Sequence, residues 1–294
     1  MGMLTRAQLI ESFNAGGPSW LPDLTSPLVN HRFAELQQQT QLTPETYTTN
    51  RFLFSNPNSP CLLKGRLELI SNTPYSHCAI AIEDLDECFC KKYYDLGISF
   101  RSLHDVHLPN IIFMLQRALK EVNRIPSLAR VIQTIVRSVH ILESSNKETD
   151  CSYSDPEIPF SIFLSVPSEE TDISFLRLAE SIIHECMHLQ LTLLERHITL
   201  IEDGPSRYFS PWLNIFRPAK GLLHGIFVFR VICDFLEEMR EQEELWKISD
   251  YIMNRVEDIS NQLIELDYFR NAPELTSVGR MFVGKLLINK ISCH

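Results

Sequence analysis

The sequence lacks a long uninterrupted apolar run, contains little glycine, and has no excess of positive charge. Its most apolar long stretch, residues 221–239, is interrupted by a histidine and four charged residues, so we expect no membrane span. Gly 10 and Pro 16 in 294 residues are too few for a collagen-like or linker-dominated chain. Lys and Arg total 27 against 37 Asp and Glu, and the net charge of −10 argues against a non-specific nucleic-acid binder.

Cysteine is present but not in a disulfide-type pattern. The eight cysteines are scattered, and only Cys88 and Cys90 lie close together. The first residues show no continuous apolar segment of the kind that a signal peptide has. We therefore expect reduced thiols and a cytoplasmic location.

Helical periodicity of apolar residues dominates the sequence. Apolar residues recur at three- and four-residue spacing over 110–142, with Pro126 dividing two helices, and further helices are predicted over 173–197, 221–244, 245–269 and 275–291. Residues 160–166 alternate apolar side chains with serine between two prolines, which predicts a short strand at a sheet edge. The expected fold is mostly α, of the α+β class: a helical domain with a small sheet whose edge strand precedes the helix over 173–197.

One motif in that helix has the residue types of a metal site. His184-Glu185-Cys186-Met187-His188 matches HExxH. Residues four apart differ by about 40° around a helix axis, so both imidazoles leave the same face. This spacing suits two ligands of one metal ion, with Glu185 beside them as a base or an orienting group. An HExxH match can also arise by chance, and in that case the two histidines would simply be partly exposed residues on the side of a helix. In either case we expect Cys186 to pack in the core.

The motif requires a third ligand from elsewhere in the chain. Metzincin spacing would place it at position 194, which is Leu194, and His197 lies too far along the helix to reach the same ion. We expect the chain to consist of two regions, of which the second contains the motif. Residues 1–150 form a mixed or helical region of the same or a closely packed subdomain, and residues 151–294 form the metal-binding helical region.

His224 is the preferred third ligand. It is the one histidine of the apolar helix predicted over 221–244, and Gly221 and Gly225 on either side of it would let that helix approach the HExxH helix closely. A lone histidine on such a helix is also often a core residue. Glu237 and Glu238 are the competing, gluzincin-type ligands, although they lie in an acidic run that is more simply a solvated face.

Five ordered blocks in the second half of the sequence resemble the HEXXH-motif peptide-modification family, which is encoded beside ribosomally made peptides. These blocks are residues 156–167, 178–188, 207–212, 217–225 and 275–280. Members of the family are understood as Fe(II)- and 2-oxoglutarate-dependent peptide β-hydroxylases. The resemblance implies that His184, His188 and His224 bind iron, and that the substrate is a precursor peptide, with no nucleic acid or membrane as partner.

The cosubstrate in such an enzyme needs a cation for its distal carboxylate. The family often has an arginine directly after the loop tryptophan, where this sequence has Leu213, so Arg217 or Arg207 must take that role. Tyr208 lies in the same loop as a hydroxyl donor. A surface ion pair is the competing role for Arg217. The reaction also needs a dry pocket, for which the available apolar side chains are Trp212, Phe216, Leu222 and Phe227, unless these are simply core residues.

Two other functions use the same motif. A Zn-dependent metallopeptidase would use Glu185 as the general base that activates a metal-bound water. A non-catalytic peptide-binding protein would hold the metal in a closed, structural site. An exposed strand edge over residues 160–166 could pair with an extended peptide in any of these cases.

Overall fold

The computed structural model describes residues 6–14, 16–40, 55–56, 59–60, 66–69, 80–85, 87–104, 107–143, 150–156 and 158–288. The chain forms two compact units. One, the sheet unit, is Thr25–Leu189; the other, the helical unit, combines Met1–Leu24 with Gln190–His294. Position 150, where the two predicted regions meet, lies inside the sheet unit.

The sheet unit contains a mixed sheet with helices beside it. The strands are β3 (Arg66–Leu69), β4 (Ile80–Glu83), β5 (Ser138–Ile141), β6 (Ser152–Tyr153) and β7 (Ser161–Leu164), in the order β3-β4-β5-β7-β6. A separate pair is formed by β1 (Ser55–Asn56) and β2 (Ser59–Pro60). The helices are α2 (Pro22–Thr40), which begins in the helical unit, α3 (Glu87–Tyr94), α4 (Leu108–Val122), α5 (Pro126–Ile135) and α6 (Asp172–Glu195), which ends in the helical unit. Strand β5 is parallel to β4 and β7, whereas β3 and β6 run antiparallel to their neighbours.

The helical unit consists of helices and one hairpin. Its helices are α1 (Arg6–Asn14), α7 (Ala219–Arg240), α8 (Ser249–Glu265) and α9 (Ser277–Leu286), with 3-10 turns at Glu243–Ile248 and Asp267–Asn271. The hairpin pairs β8 (Arg207–Ser210) with β9 (Ile215–Pro218). The prediction of a mostly helical α+β fold with a small sheet is confirmed. Among the helices that the structure describes, none combines the length and apolar composition that a transmembrane segment requires.

The expectation that residues 160–166 form an edge strand is wrong. Strand β7 lies inside the sheet, parallel to β5 on one side and antiparallel to β6 on the other. Its alternating serine is no sign of exposure, because the Ser161 hydroxyl is buried and lies 2.8 Å from the Ser138 hydroxyl of β5. The prolines only bound the run, so they remove no hydrogen bond from its interior. The edge strand of the described sheet is therefore β6.

A second correction concerns the end of the periodic stretch over 110–142. Helix α5 ends at Ile135. The backbone is extended at Val136, and β5 begins at Ser138. Short runs of β-branched residues fit both helical and extended patterns, which is why periodicity alone misassigns them. As a result, residues 138–141 belong to the sheet, although the periodicity predicts a helix there.

Helix α6 has a clear physical basis. The Thr171 hydroxyl accepts a hydrogen bond from the Ser174 N–H at 3.1 Å and so caps the first turn. Apolar side chains on most sides of the helix are fully buried, including Leu176, Ile183 and Met187. This burial fixes the helix over its whole length, and it positions the HExxH motif.

Gly279 in the first turn of α9 shows how one of the family-like blocks is held. A Cβ added there would overlap the Leu200 carbonyl oxygen, which also accepts a hydrogen bond from the Thr276 N–H. We expect Gly279→Ala to lower the free energy of unfolding by about 2–3 kcal/mol, as overpacking does. Gly284→Ala in the same helix is the control, because the nearest atom to its added Cβ is 3.8 Å away. Chemical denaturation of both variants measures the difference, and equal stabilities would contradict the proposed overlap.

Candidate metal centre

The two motif histidines are brought together on α6. The Nε2 atoms of His184 and His188 lie 3.2 Å apart, and the ring centroids are separated by 4.8 Å. Both side chains are partly exposed, whereas Cys186 between them is fully buried and free, as predicted. Burial raises the pKa of the Cys186 thiol, so it packs as a small apolar group.

The distance between the two Nε2 atoms fits two ligands of one metal ion. With metal–nitrogen bonds of about 2.1 Å, a separation of 3.2 Å corresponds to a ligand–metal–ligand angle of about 100°. This angle lies between the octahedral and tetrahedral values, so it accommodates either iron or zinc. The spacing of the two imidazoles therefore suits two ligands of one ion.

Glu185 is held beside this pair by two serines of the sheet edge. The Ser152 hydroxyl donates to Oε1 and the Ser154 hydroxyl donates to Oε2, both at 2.6 Å. Oε1 of Glu185 also lies 3.9 Å from His184 Nε2. Because each carboxylate oxygen accepts a hydrogen bond, the side chain is fixed in one orientation next to the histidines.

The serines are themselves positioned by the packing of residues 152–155. Between them, the Tyr153 ring packs against Phe163 and Tyr93 on the other side of the strand. Asp155 is buried and accepts hydrogen bonds from the Tyr93 hydroxyl at 2.7 Å and the Lys92 ammonium at 2.9 Å. These contacts anchor β6, so the two hydroxyls reach Glu185 from a rigid element.

The electrostatic environment of Glu185 is unusual for a glutamate. Burial raises the pKa of Glu185 to about 7, although the hydrogen bonds from Ser152 and Ser154 favour the charged form. A carboxyl group with this pKa can gain or lose a proton near neutral pH. Chemically, the group can therefore orient a bound ligand or exchange a proton with it.

In the helical unit, His224 has a carboxylate partner. Its Nε2 lies 3.2 Å from Oε2 of Glu195, and the Lys220 ammonium lies 3.1 Å from the same oxygen. Burial alone would raise the pKa of Glu195, but the hydrogen bonds and charges of His224 and Lys220 lower it overall. Glu195 is the last residue of α6, where its negative charge is unfavourable to the helix dipole unless cations compensate it. His224 thus has a structural partner, and this carboxylate is also of the kind that orients a metal-binding imidazole.

The competing carboxylates have other surroundings. Glu237 is half-buried and lies 3.9 Å from the Arg230 guanidinium, which also pairs with buried Asp234. Glu238 is exposed on α7, as a solvated face requires. Glu237 therefore has an ion-pair partner, whereas Glu238 lies on the solvated face of the helix.

The predicted cosubstrate residues lie in the β8–β9 hairpin. Tyr208 and Arg217 are directly opposite each other, so they share a face, while Arg207 is opposite Pro218 and faces the other way. Arg217 is half-buried and its guanidinium lies against Gly221, where an added Cβ would come within 3.1 Å of Nε. Within the described part of the chain, the Arg217 side chain has no ion pair or hydrogen bond, so the surface ion pair considered for it is not formed there. The Tyr208 hydroxyl donates to Glu274.

Only some of the residues that were expected to line the pocket lie in the apolar core. Leu222 and Phe227 are fully buried, but Phe216 is 64% exposed and lines no dry pocket as the structure stands. Phe216 pairs across the hairpin with Phe209, on the face opposite Tyr208 and Arg217, which explains why it points to solvent. The expectation that Phe216 is a wall residue is therefore wrong.

Trp212 packs on α7 through Gly225. Its ring stacks on Phe229 at a centroid distance of 4.4 Å, and an added Cβ at Gly225 would come within 2.8 Å of it. The groups that approach Gly221 and Gly225 are Arg217 and Trp212 of the hairpin, and the expected close approach to the HExxH helix through these glycines stays a prediction. The hairpin and its turn therefore pack against the first turns of α7.

Within the described ranges, no group of three or more His, Cys, Asp or Glu side chains is placed to hold one metal ion. The assignment of His224 as the third ligand stays a prediction. Comparison with models of known protein families gave no match, and no curated protein sequence is similar to the chain. The resemblance to the HEXXH-motif family therefore also stays a prediction.

Sequence reasoning missed Ser152 and Ser154. They precede Glu185 by 33 and 31 residues, and no local pattern relates them to it. The one available signal was two serines at alternate positions, Ser-Tyr-Ser, which puts both hydroxyls on one side of an extended segment. That signal becomes useful only once the segment is known to lie beside α6.

Proposed function

We propose that the chain is an Fe(II)- and 2-oxoglutarate-dependent oxygenase that hydroxylates a side-chain β-carbon in a ribosomally made precursor peptide. The observation that carries the metal is the 3.2 Å separation of the His184 and His188 Nε2 atoms beside the fixed Glu185 carboxylate. His224 is proposed as the third ligand on the similarity of its sequence block. The reaction is placed in the cytoplasm, where the free thiols of the described residues stay reduced.

Bound Fe(II) supplies the oxidative chemistry, in which one atom of dioxygen enters a substrate C–H bond and the other enters 2-oxoglutarate, releasing succinate and carbon dioxide. His184 and His188 bind the metal on one helix face. The two carboxylate oxygens of Glu185 accept hydrogen bonds from Ser152 and Ser154. Glu185 is therefore held in one orientation beside His184. Arg217 offers a cation for the distal carboxylate of the cosubstrate.

A zinc metallopeptidase is the second candidate, and the environment of Glu185 favours it. A carboxyl group with a pKa of about 7, 3.9 Å from His184, suits a general base for a metal-bound water. Two observations support the oxygenase instead. Both oxygens of Glu185 already accept short hydrogen bonds, and Arg217 lacks an acidic partner among the described residues, as a 2-oxoglutarate site requires.

Metal loading followed by product analysis tests the proposal. The metal-free chain is loaded with Fe(II) without oxygen, or with Zn(II), and its metal content is measured. With Fe(II), we expect succinate from 2-oxoglutarate in the presence of oxygen, even before the peptide is known. Cleavage of unstructured peptides by the zinc form without succinate from the iron form would establish the peptidase. Bound metal with neither activity would identify a structural site.

Arg217→Gln is expected to weaken 2-oxoglutarate binding by roughly tenfold or more, because it removes a charge-assisted hydrogen-bond donor. Arg207→Gln is the matched control, since Arg207 is exposed and lies on the opposite face of the hairpin. Equilibrium dialysis with Fe(II) and 2-oxoglutarate in the absence of oxygen measures both. If Arg207→Gln weakens binding and Arg217→Gln does not, the two roles are reversed. If neither does, the cation lies elsewhere.

A further inference from the structure

The edge strand β6 has an open backbone side. The Ser165 N–H donates to the Cys151 carbonyl at 2.8 Å, and Ser152 and Tyr153 are opposite Leu164 and Phe163. In an antiparallel ladder the hydrogen-bonded and non-hydrogen-bonded pairs alternate, so Cys151 and Tyr153 direct their backbone groups toward β7. The N–H and C=O of Ser152 therefore point away from the sheet, and within the described residues they have no hydrogen-bond partner.

This open side adjoins the candidate metal centre in the same unit. The Ser152 hydroxyl contacts Glu185 Oε1 at 2.6 Å, and that oxygen lies 3.9 Å from His184 Nε2. The strand is also rigid, because Tyr153 packs against Phe163 and Asp155 is anchored by Lys92 and Tyr93. A chain that paired with β6 would be held close to the motif histidines by an element that need not move.

We propose that the peptide substrate docks as an additional strand along β6, with backbone hydrogen bonds to the N–H and C=O of Ser152; that the occupant is a substrate rests on the proposed function. A backbone donor and a backbone acceptor on one residue match an extended chain. The same residue thus binds peptide through its main chain and orients Glu185 through its hydroxyl. This strand takes the substrate-holding role that the sequence suggested for residues 160–166.

Two variants separate the main-chain role of Ser152 from that of its side chain. Ser152→Ala removes the hydroxyl and keeps the N–H. Ser152→Pro removes both, and proline is tolerated at an edge strand where the N–H faces away from the ladder. The probe is a short peptide selected from a random display library on the metal-free chain. We expect Ser152→Pro to bind it roughly tenfold more weakly than Ser152→Ala does, because both variants lack the hydroxyl and only the proline variant also lacks the N–H.

The second measurement uses the parent protein and therefore does not depend on the folding of a variant. Single N-methyl groups are placed along the selected peptide, and binding is expected to fall at alternate amides only, which is the signature of strand pairing. Failure to select a peptide, uniform tolerance of N-methylation, or equal affinity of the folded proline and alanine variants would overturn the proposal. A chain that sediments as a dimer and becomes monomeric on Ser152→Pro would show that a second copy occupies the edge, which also overturns it. Succinate formation by the iron-loaded chain tests the oxygenase separately, so either idea can fail without the other.

Discussion

Alanine at His184 or His188 is expected to abolish stoichiometric iron binding and all succinate formation. The two Nε2 atoms lie 3.2 Å apart and would both be ligands of the proposed iron, so neither is expected to compensate for the other. Loss of a group that only orients a ligand already costs 10–100-fold in metal affinity. Removing a ligand should therefore weaken Fe(II) binding by more than roughly 100-fold. Metal analysis after anaerobic loading and desalting measures this directly.

The matched control for both variants is His197→Ala, which removes a histidine placed beyond the end of α6. It should retain iron and activity. Thermal unfolding of the metal-free proteins should differ little between the parent and either motif variant, because the side chains of His184 and His188 are partly exposed. Full iron occupancy in His184→Ala or His188→Ala would rule out the metal centre on α6.

The elements that the sequence predicts well are long, periodic and capped. Helix α6 was expected over 173–197 and spans Asp172–Glu195, because its apolar pattern is continuous and Thr171 supplies a cap. The sequence predicts a loop over residues 202–212, whereas residues 207–210 form β8, because this strand is only four residues long and Pro211 follows it directly. Such short strands are defined by pairing with each other, and a single segment does not carry that information.

Some features of the candidate site can likewise be predicted from the sequence, and others cannot. The His184–His188 pair follows from four-residue spacing on one helix, so the sequence suffices to predict it. The partners of Glu185 come from strand β6 and the residue after it, and β6 forms by pairing with β7. The exposure of Phe216 likewise depends on hairpin register, which composition does not reveal. Contacts within one element are readable from spacing, whereas contacts between elements need the fold.

The structure also gives some of the family-like blocks a packing role. Gly221 lies under Arg217, Gly225 lies under Trp212, and Gly279 lies against the Leu200 carbonyl. Each glycine is explained by a neighbouring group that leaves no room for a Cβ. These three glycines therefore have a packing role in this chain, and in the proposed function the chemistry depends on the histidines and Arg217.

His224→Ala is expected to weaken Fe(II) binding by more than roughly 100-fold, as at the other two histidines, because it removes the proposed third ligand. The variant also removes the hydrogen bond to Glu195, so a stability change must be separated from a metal effect. Glu195→Gln provides that separation. It keeps the imidazole and removes the carboxylate charge, and it should cost about 1–2 kcal/mol of unfolding free energy at neutral pH.

The pH dependence identifies the Glu195 contribution. Its pKa in the folded chain is below the ordinary value of 4.5, so the stabilisation is complete above that value and is lost as the pH falls through the folded pKa. Glu195→Gln should therefore lie below the parent in stability at neutral pH and converge with it in acid. If His224→Ala follows the same curve while its iron content stays at the parent level, His224 is only the partner of Glu195. Loss of iron in His224→Ala beyond that in Glu195→Gln assigns the imidazole to the metal, because the shared stability cost then cancels between the two variants.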